Sequence, residues 1–457
     1  MNKNPYNPLN PDLEQEFKYT RTLSYLDIFS AGYGFIVGAG IFTLLPFILK
    51  YSRGFSWLTF IIGGIICILT GLSYAKLNSL FPTNDGEYAW ILNILNFDEK
   101  RNPEKVHSVY KNFANVIIWI IFIIGILTAA TIVVCQANFV QDYIDFDKRS
   151  MILILITIPT LINVFGTQYT TIFNKATMGI ITTLFLVVFG VASKKGSISG
   201  KLSLIPKKEN LNGIFVSSFI TMFLYNGFQS IVQLSEEAKK ESDIPKGIMG
   251  TLSFAIVLYT LFTISVISLI GINNGIKSKM PMIDALGKAF TPNITNIIYI
   301  INIIALTNTL IIITLSRSRL LQKLSVRGLA PSVFKKLDSY KTFLGKEHFD
   351  SDSNKKNITT PINSIIAVSI ITYLFTFIKK GSIEYLAQLT NVFLFIIFVI
   401  VNALVLIYHH KIKTQEELNR ESKINNKFLS GYPWYSVLGL IITLIYILNV
   451  RKLKYPS

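Results

Sequence analysis

The feature that most constrains this chain is a series of apolar runs, each about 20 residues long, that recur from residue 22 to residue 450. A helix of that length crosses the ~30 Å hydrocarbon layer of a bilayer. The sequence therefore predicts a polytopic, all-α membrane protein. We expect eleven spans, at residues 26–49, 55–76, 112–140, 150–166, 173–193, 211–234, 248–272, 294–316, 361–379, 383–408 and 434–450.

Composition and charge agree with this class. Hydrophobic residues make up 51% of the chain and charged residues 15%, whereas soluble domains carry about a quarter charged residues. The net charge of +18 does not indicate nucleic acid binding, because the basic residues lie in loops between spans and not along one face. Their distribution places the N-terminus in the cytoplasm. The polar N-terminal residues do not have the regions of a signal peptide, so we expect the first span to be retained.

Ionisable side chains are nearly absent from the spans, since each would cost at least ~2.5 kcal/mol there. The acidic residues nearest the spans are interpreted as solvated or interfacial charges at span ends and in loops: Asp27, Glu87, Glu236, Glu237 and Glu384. The histidines lie in loops or at a span end: His107, His348, His409 and His410. The pattern argues against a metal site in the membrane and against an enzyme, which needs titratable groups close together.

The stretch SAGYGFIVGAGIF, residues 30–42, places four glycines in the apolar run of the first span. Glycine destabilises a helix interior by about 1 kcal/mol relative to alanine. A dinucleotide-binding loop does not fit, because no βαβ pattern surrounds these glycines. Two explanations stay open: close helix packing through Gly34 and Gly38, and a broken helix whose free backbone groups face a ligand.

A second interruption favours the broken helix. The sixth span reads SSFITMFLYNGFQSIVQL and is interrupted at Asn226-Gly227, with Gly227 lying 189 positions after Gly38. Interrupted spans at corresponding positions of two halves are typical of a transporter binding site. The sequence therefore predicts two five-span repeats between two terminal segments. In order these are the cytoplasmic tail 1–24, the first repeat 25–193, the second repeat 211–410 with a cytoplasmic loop at 317–360, and the segment 411–457 with the last span.

Four motifs resemble those of the amino acid–polyamine–organocation permeases, in the same order over residues 30–331. They are GAGIF at 38–42 with Pro46, FPTNDGEY at 81–88, YNGF at 225–228 with SEEA at 235–238 and IPK at 244–246, and SR at 316–317 with RGLAP at 327–331. The family patterns that they resemble are G-S-G-I-F…P, P-x-x-G-G-x-Y, G-F-E…E-E-x-K-N-P…I-P and S-R…A-R-D-G-x-L-P.

The resemblance implies a LeuT-like fold of two inverted five-helix repeats, with the substrate held between broken helices 1 and 6. The family usually has twelve spans, whereas one extra span follows the ten-helix core here. Carried over by position, the amides of Gly38, Ala39 and Gly40 would bind a substrate carboxylate. The carbonyls near four residues would receive its ammonium group: Ile36, Val37, Phe223 and Leu224. Phe223, Tyr225 and Phe228 are candidates for the pocket and gate, with Gly227 at the break.

The usual coupling devices of the family are not visible in this chain. Gln229 stands where some proton-linked members carry Glu, and Met178 stands about where others carry Lys, with Lys175 almost one turn earlier. Thr307 and Thr309 of the eighth span offer oxygens to Na⁺. The sequence leaves both H⁺ and Na⁺ open as the coupling ion, and we expect no other cofactor.

These observations predict a secondary transporter that moves amino acids by alternating access and breaks no bond. Because no acidic residue lies at mid-membrane, neutral or zwitterionic substrates are favoured over arginine, lysine and polyamines. The expected partners are the substrate and the lipid bilayer. Two alternatives stay open: a permease for another small organic solute, and a non-transporting nutrient sensor that binds a partner through residues 317–360.

Overall fold

The computed structural model describes residues 21–37, 40–95, 108–141, 144–165, 167–197, 202–203, 205–278, 280–287, 290, 292–336, 338–340, 358–411 and 432–449. These residues form fifteen α-helices. In chain order they are α1 Tyr25–Ile36, α2 Gly40–Ser52, α3 Ser56–Leu80, α4 Gly86–Leu95, α5 Ser108–Gln141, α6 Lys148–Val164, α7 Thr167–Lys195, α8 Leu211–Tyr225, α9 Asp243–Ile270, α10 Ile272–Lys277, α11 Pro281–Gly287, α12 Pro292–Val326, α13 Ile362–Phe375, α14 Ile383–Lys411 and α15 Trp434–Asn449.

Short elements connect several of these helices. The 3₁₀ segments are Arg53–Phe55, Lys208–Asn210, Phe228–Leu234, Ser332–Lys335 and Ile378–Gly381. Two strands of three residues, β1 Asp338–Tyr340 and β2 Ile358–Thr360, pair antiparallel with Ser339 opposite Thr359. These strands lie inside the predicted loop 317–360 and are the departure from an all-α chain within the described residues.

Each of the eleven predicted spans coincides with a helix or a broken pair of helices. The first span is α1 followed by α2, and the sixth is α8 followed by the segment Phe228–Leu234. By length and composition alone, seven helical segments of the described residues are long and apolar enough to cross a membrane, and α13 and α15 are shorter apolar helices. The prediction of a polytopic helical membrane protein is confirmed, and the predicted repeat boundaries stay a prediction.

Local sequence signals set the ends of several helices. The Ser24 backbone N–H donates to Asp27 Oδ2 at 2.9 Å at the start of α1. Asp147 caps α6, where its carboxylate accepts from the Ser150 backbone N–H at 2.9 Å. α9 ends at Ile270 and is followed by Gly271, whose φ of 79° suits glycine. Capping groups of this kind satisfy backbone groups that a helix end leaves free.

The two broken spans occupy the centre of the bundle. α3 packs against α9. In addition, α3 contacts α8, and α9 contacts α1. α2 packs along α8, so the two broken spans are neighbours over part of their length. α5 packs against α12 and α14, whereas α15 lies against α14 and α3. The surrounding helices therefore enclose both breaks.

Ion pairs gather at the end of the bundle where α1, α4 and α9 begin and α12 ends. We call this the charged end. Its pairs are Arg21–Glu241 at 3.6 Å, Lys175–Asp27 at 2.5 Å, Arg319–Glu237 at 3.2 Å, Lys323–Asp85 at 3.1 Å and Arg327–Asp85 at 2.6 Å. The chain before α1 also joins this end, since the N–H groups of Thr22 and Leu23 both donate to the Glu237 carbonyl.

Candidate functional site

The first span is broken where its glycines predict a break. α1 ends at Ile36 and α2 begins at Gly40. Val37 leaves the helix with φ −84° and ψ 62°, and its N–H donates to the Tyr33 carbonyl at 2.6 Å. Gly38 and Ala39, two of the residues expected to bind a carboxylate, lie outside the described residues.

The sixth span is broken at Asn226 and Gly227. Asn226 is extended, with φ −60° and ψ 135°, and Gly227 has a φ of 123°. The Gln229 side chain bonds to both residues of the break: its Oε1 accepts from the Gly227 N–H at 3.0 Å and its Nε2 donates to Asn226 Oδ1 at 2.6 Å. Asn226 Nδ2 in turn donates to Thr128 Oγ1 of α5 at 2.9 Å. The polar groups at this break are thus hydrogen-bonded within the protein, as buried backbone requires.

The two breaks lie against each other. A Cβ added at Gly227 would lie 2.8 Å from Phe35 Cβ and 3.0 Å from the Phe35 carbonyl oxygen, at the end of α1. A Cβ added at Gly40 would lie 2.8 Å from Leu224 Cδ2 of α8. Glycine is required at Gly227 by both φ and space, because an L side chain rarely adopts that φ.

Tyr259 of α9 joins the carbonyl ends of both broken helices. Its hydroxyl donates to the Ile36 carbonyl oxygen at 2.7 Å and lies 3.4 Å from the Leu224 carbonyl oxygen. The structure therefore brings together two of the carbonyl groups predicted to receive an ammonium group. Tyr259 was absent from the sequence prediction, since a tyrosine in an apolar span signals only that its hydroxyl needs some partner.

The predicted pocket residues are buried and face different neighbours. Phe223, Tyr225 and Phe228 are 5%, 0% and 0% exposed. The Tyr225 hydroxyl donates to the Phe60 carbonyl of α3 at 2.8 Å. The Phe228 ring packs edge-on against Tyr74 of α3, with centroids 5.4 Å apart. The Phe223 carbonyl accepts from the Asn226 N–H at 3.1 Å. Through these contacts Tyr225 and Phe228 join the sixth-span break to α3.

The residues considered for ion coupling are engaged within the protein. Thr307 donates to the Ile303 carbonyl and accepts from Gln136 Nε2 of α5 at 2.8 Å. Thr309 donates to the Ala305 carbonyl at 3.2 Å. Lys175 of α7 pairs with Asp27 of α1. Sodium binding by the two threonines stays a prediction.

Glu87 corrects the prediction that the acidic residues near the spans are solvated. It lies in α4 and is 7% exposed, and its Oε1 accepts from the Tyr74 hydroxyl at 2.6 Å. Arg317 of α12, 4% exposed, is a second buried charge near it. The prediction was wrong here because α4 packs into the bundle against α5 and α14, which sequence position alone does not reveal.

A narrow cavity separates α2, α8 and α14 away from the charged end. It is lined by Leu44, Phe47, Ile220, Glu384, Ala387, Gln388 and Asn391. Glu384 at its edge lies 3.4 Å from the Tyr51 hydroxyl, and the Asn391 side chain donates to the Phe219 carbonyl. The cavity marks where α14 meets the two broken spans.

Comparison with known proteins gives the family context. A family model described as amino acid permease matches residues 23–451. The vacuolar cationic amino acid transporter 4 of Arabidopsis thaliana is 24% identical over 336 residues, which cover 69% of this chain and 54% of that protein. The branched-chain amino acid permease BcaP of Bacillus subtilis (strain 168) is 21% identical over 456 residues, which cover 94% of this chain and 88% of that protein. The chain spans about half the length of the plant transporters that it matches.

A solved structure gives the fold. MhsT in complex with L-phenylalanine matches with a TM-score of 0.62 at 14% identity, over 95% of this chain and 100% of that one. Identity at this level shows the fold alone. The fold is the LeuT-like arrangement of two inverted five-helix repeats with broken spans 1 and 6, followed here by an eleventh span, and the predicted fold class is confirmed.

Proposed function

Because this chain belongs to the amino acid permease family, whose model matches residues 23–451, we propose that it is a secondary transporter that moves amino acids across a membrane by alternating access. The observation that carries the proposal is the meeting of two helix breaks at the centre of the bundle. There the carbonyls of Ile36 and Leu224 converge on the Tyr259 hydroxyl. Carbonyl groups at a helix end carry partial negative charge and suit an ammonium group.

The carboxylate of a zwitterion has a matching group on the other side of the first-span break, at the start of α2. α2 begins at Gly40, and the positive end of its helix dipole suits a carboxylate. In this proposal the amides of Gly38, Ala39 and Gly40 bind the carboxylate, and the carbonyls of Ile36, Val37, Phe223 and Leu224 receive the ammonium group. Both charges of an amino acid are then held by backbone dipoles.

We propose neutral or zwitterionic amino acids as the substrates. Tyr225, Asn226, Phe228 and Gln229 lie at the sixth-span break, and none of these four side chains carries a charge. An extra positive charge on the substrate would need an acidic partner.

We place the charged end in the cytoplasm, because the basic residues of the chain favour a cytoplasmic N-terminus. In this orientation the ion pairs of α1 with α7, and of α12 with the segments before α4 and α9, close the cytoplasmic route to the breaks. Alternating access would then require these pairs to separate.

The proposal is tested by reconstituting the full chain into proteoliposomes. Counterflow of radiolabelled L-leucine, L-phenylalanine and L-lysine is measured, and uptake is then measured under imposed H⁺ and Na⁺ gradients. We expect counterflow of the two neutral amino acids and little of lysine. Faster transport of lysine would contradict the proposed substrate class, and no counterflow by folded protein would contradict amino acid transport.

A matched pair of glycine variants tests whether transport depends on the first-span break. In Gly40→Val the new side chain meets Leu224, so we expect counterflow to be lost. Gly179→Val makes the same change in α7, where nothing lies within 4 Å of an added Cβ, and we expect transport to be retained. Equal transport by the two variants would contradict a role for the break.

A further inference from the structure

A buried carboxyl group lies one aromatic ring away from the predicted pocket. Tyr74 donates its hydroxyl proton to Glu87 Oε1 at 2.6 Å. The same Tyr74 ring packs edge-on against Phe228, with the centroids 5.4 Å apart, and against Trp90 at 5.5 Å. Glu87 therefore contacts the sixth span through a single side chain.

Arg317 connects the same region to the sixth span from the other side. Its guanidinium donates to the Ile121 carbonyl at 2.8 Å, to Ser230 Oγ at 2.9 Å and to Ser316 Oγ at 3.2 Å. Ser230 belongs to the 3₁₀ segment that follows the break. The partners are all neutral, and the described ion pairs of the chain include none between Arg317 and an acidic group within 4 Å. Its charge is opposed at longer range by Glu87.

Asp85 and Glu87, two residues apart, have opposite environments. Lys323 and Arg327 both pair with Asp85 and, although burial acts in the other direction, they lower the pKa of its carboxyl from 3.8 to about 2. Burial raises the pKa of the Glu87 carboxyl, which the Tyr74 hydrogen bond and the Arg317 charge only partly oppose. Neighbouring carboxyl groups whose pKa values move apart divide into one that stays charged and one that takes up a proton.

The titratable groups around Glu87 are few. Tyr74 of α3 and Arg317 of α12 are the described side chains that act on its carboxyl group. On its own helix, Tyr88 lies under the Arg327 guanidinium, whose carbon is 4.0 Å from the ring centroid. α14, which also packs against α4, carries His409, His410 and Lys411 in its last turn.

We propose that Glu87 binds the proton that couples substrate movement to a proton gradient, an inference that rests on the transport function proposed above. With Glu87 ionised, the buried charges of Glu87 and Arg317 balance. When Glu87 takes up a proton, Arg317 keeps its charge in a buried position with neutral partners. An unbalanced buried cation is unfavourable, so water is favoured to enter beside Arg317. Entry of water there separates α12 from the segment that carries Ser230, and the break opens toward the charged end.

The test compares Glu87→Gln with the wild type in proteoliposomes. Glutamine keeps the shape of the protonated carboxyl group and cannot release a proton. The probe is whichever of L-leucine, L-phenylalanine and L-lysine gives the fastest counterflow in the wild type. With one proton per substrate, each pH unit of gradient drives accumulation of about tenfold in the wild type. We expect Glu87→Gln to retain counterflow, to lose gradient-driven accumulation and to show no pH dependence between pH 5.5 and 7.5.

The control is Glu209→Gln, which makes the same chemical change at an exposed carboxylate in the segment before α8. It should accumulate substrate like the wild type. Gradient-driven accumulation by Glu87→Gln, or a pH profile that it shares with the wild type, would overturn the inference. Wild-type counterflow without any response to a proton gradient would overturn this inference alone. No wild-type counterflow would overturn it together with the proposed transport function.

A second variant keeps the inference testable if Glu87→Gln does not fold. Tyr74→Phe removes the hydrogen bond that favours the ionised carboxylate and keeps the ring against Phe228. The pKa of Glu87 should then rise further, so the pH midpoint of accumulation should move to higher pH. An unchanged midpoint in folded Tyr74→Phe would contradict proton binding at Glu87.

Discussion

At the scale of single residues, the hydrogen bonds at the two breaks are made by side chains both near and distant in sequence. Tyr259 holds the end of α1, Gln229 and Asn226 hold each other, and Thr128 of α5 fixes Asn226. Each bond satisfies a polar group that would otherwise be buried without a partner, which costs about 1–3 kcal/mol. The breaks are therefore positioned by polar contacts as well as by glycine.

Tyr259→Phe should raise the KM of transport about tenfold. The change removes one hydroxyl and keeps the ring, so the Ile36 and Leu224 carbonyls lose the group that orients them, at a cost of about 1.4 kcal/mol. The measurement is initial uptake against substrate concentration in proteoliposomes.

The control for this variant is Tyr299→Phe. Tyr299 of α12 also donates its hydroxyl to a backbone carbonyl, that of Phe139 at 2.6 Å, far along the chain from both breaks. The two variants should lose similar thermal stability, and KM should change in Tyr259→Phe alone. An equal KM in both would show that the Tyr259 hydroxyl only stabilises the fold.

What the sequence predicts at this scale follows from local signals. Glycine restricts where backbone can turn or approach, so the positions of both breaks were predicted correctly from Gly38 and Asn226-Gly227. The partners were not predicted, because pairing Tyr259 with Ile36 requires the packing of α9 against α1. Glu87 was misplaced for the same reason, since its burial depends on Tyr74 and Arg317.

At the scale of elements, the sixth span shows how a helix break is maintained. α8 ends at Tyr225, and the chain continues as a 3₁₀ segment after one residue with a φ of 123°. Hydrophobicity predicts this span as one continuous element. The length of an apolar run reflects the thickness of the bilayer and does not reveal where the backbone leaves the helix. The same applies to α1 and α2, which the apolar pattern merges into one span.

Gly227→Ala should abolish transport and lower the thermal unfolding temperature. Alanine at this φ is strained by about 1–3 kcal/mol, and its Cβ would also meet Phe35 at 2.8 Å. Gly271→Ala is the matched control, because Gly271 has a φ of 79° and nothing lies within 4 Å of an added Cβ. We expect a smaller loss of stability in Gly271→Ala and retained counterflow.

The comparison separates strain from contact between the two broken spans. If Gly271→Ala loses as much stability and transport as Gly227→Ala, backbone strain alone explains both variants. Thermal unfolding in detergent and counterflow in proteoliposomes measure the two quantities separately. The larger effect at Gly227 is expected because α1 and the sixth span have no room to move apart without breaking other contacts.

At the scale of the whole molecule, the eleventh span is joined to the core by specific contacts. Tyr446 of α15 bonds to Ser218 of α8 at 2.5 Å and stacks on Phe215 with ring centroids 4.3 Å apart. Ser436 of α15 lies 2.8 Å from Ser73 of α3. The sequence predicted that this span exists but not which helices it contacts, because the hydrophobic pattern of an apolar helix does not specify its neighbours.

The charged end is the second feature of the whole molecule, and it depends on carboxylates that stay ionised. The pKa of Asp85 is lowered to about 2, so its pairing stabilises the closed end above its ordinary pKa of 3.8 and is lost only as the pH falls toward 2. Across neutral pH the two pairs of Asp85 are therefore constant. A change of pH near neutrality should therefore not act through this group.

Asp85→Asn should shift the molecule toward an open charged end. The change removes the carboxylate that pairs with Lys323 and Arg327, and cations in this position that lose a carboxylate favour hydration. The reporter is Ser30→Cys in α1, a position that is 3% exposed, in a background where the buried cysteines Cys67 and Cys135 are replaced by alanine. A shift of about 1.4 kcal/mol in the closed-to-open equilibrium would raise the labelling rate by a charged maleimide about tenfold.

The control for this shift is Asp147→Asn, which removes a carboxylate that caps α6 outside the charged end. It should leave the labelling rate of Ser30→Cys unchanged. Equal rates in Asp85→Asn and the parent protein would show that the pairs of Asp85 do not hold the charged end closed. A tenfold rise in Asp85→Asn alone would show that the pairs of Asp85 with Lys323 and Arg327 hold the charged end closed.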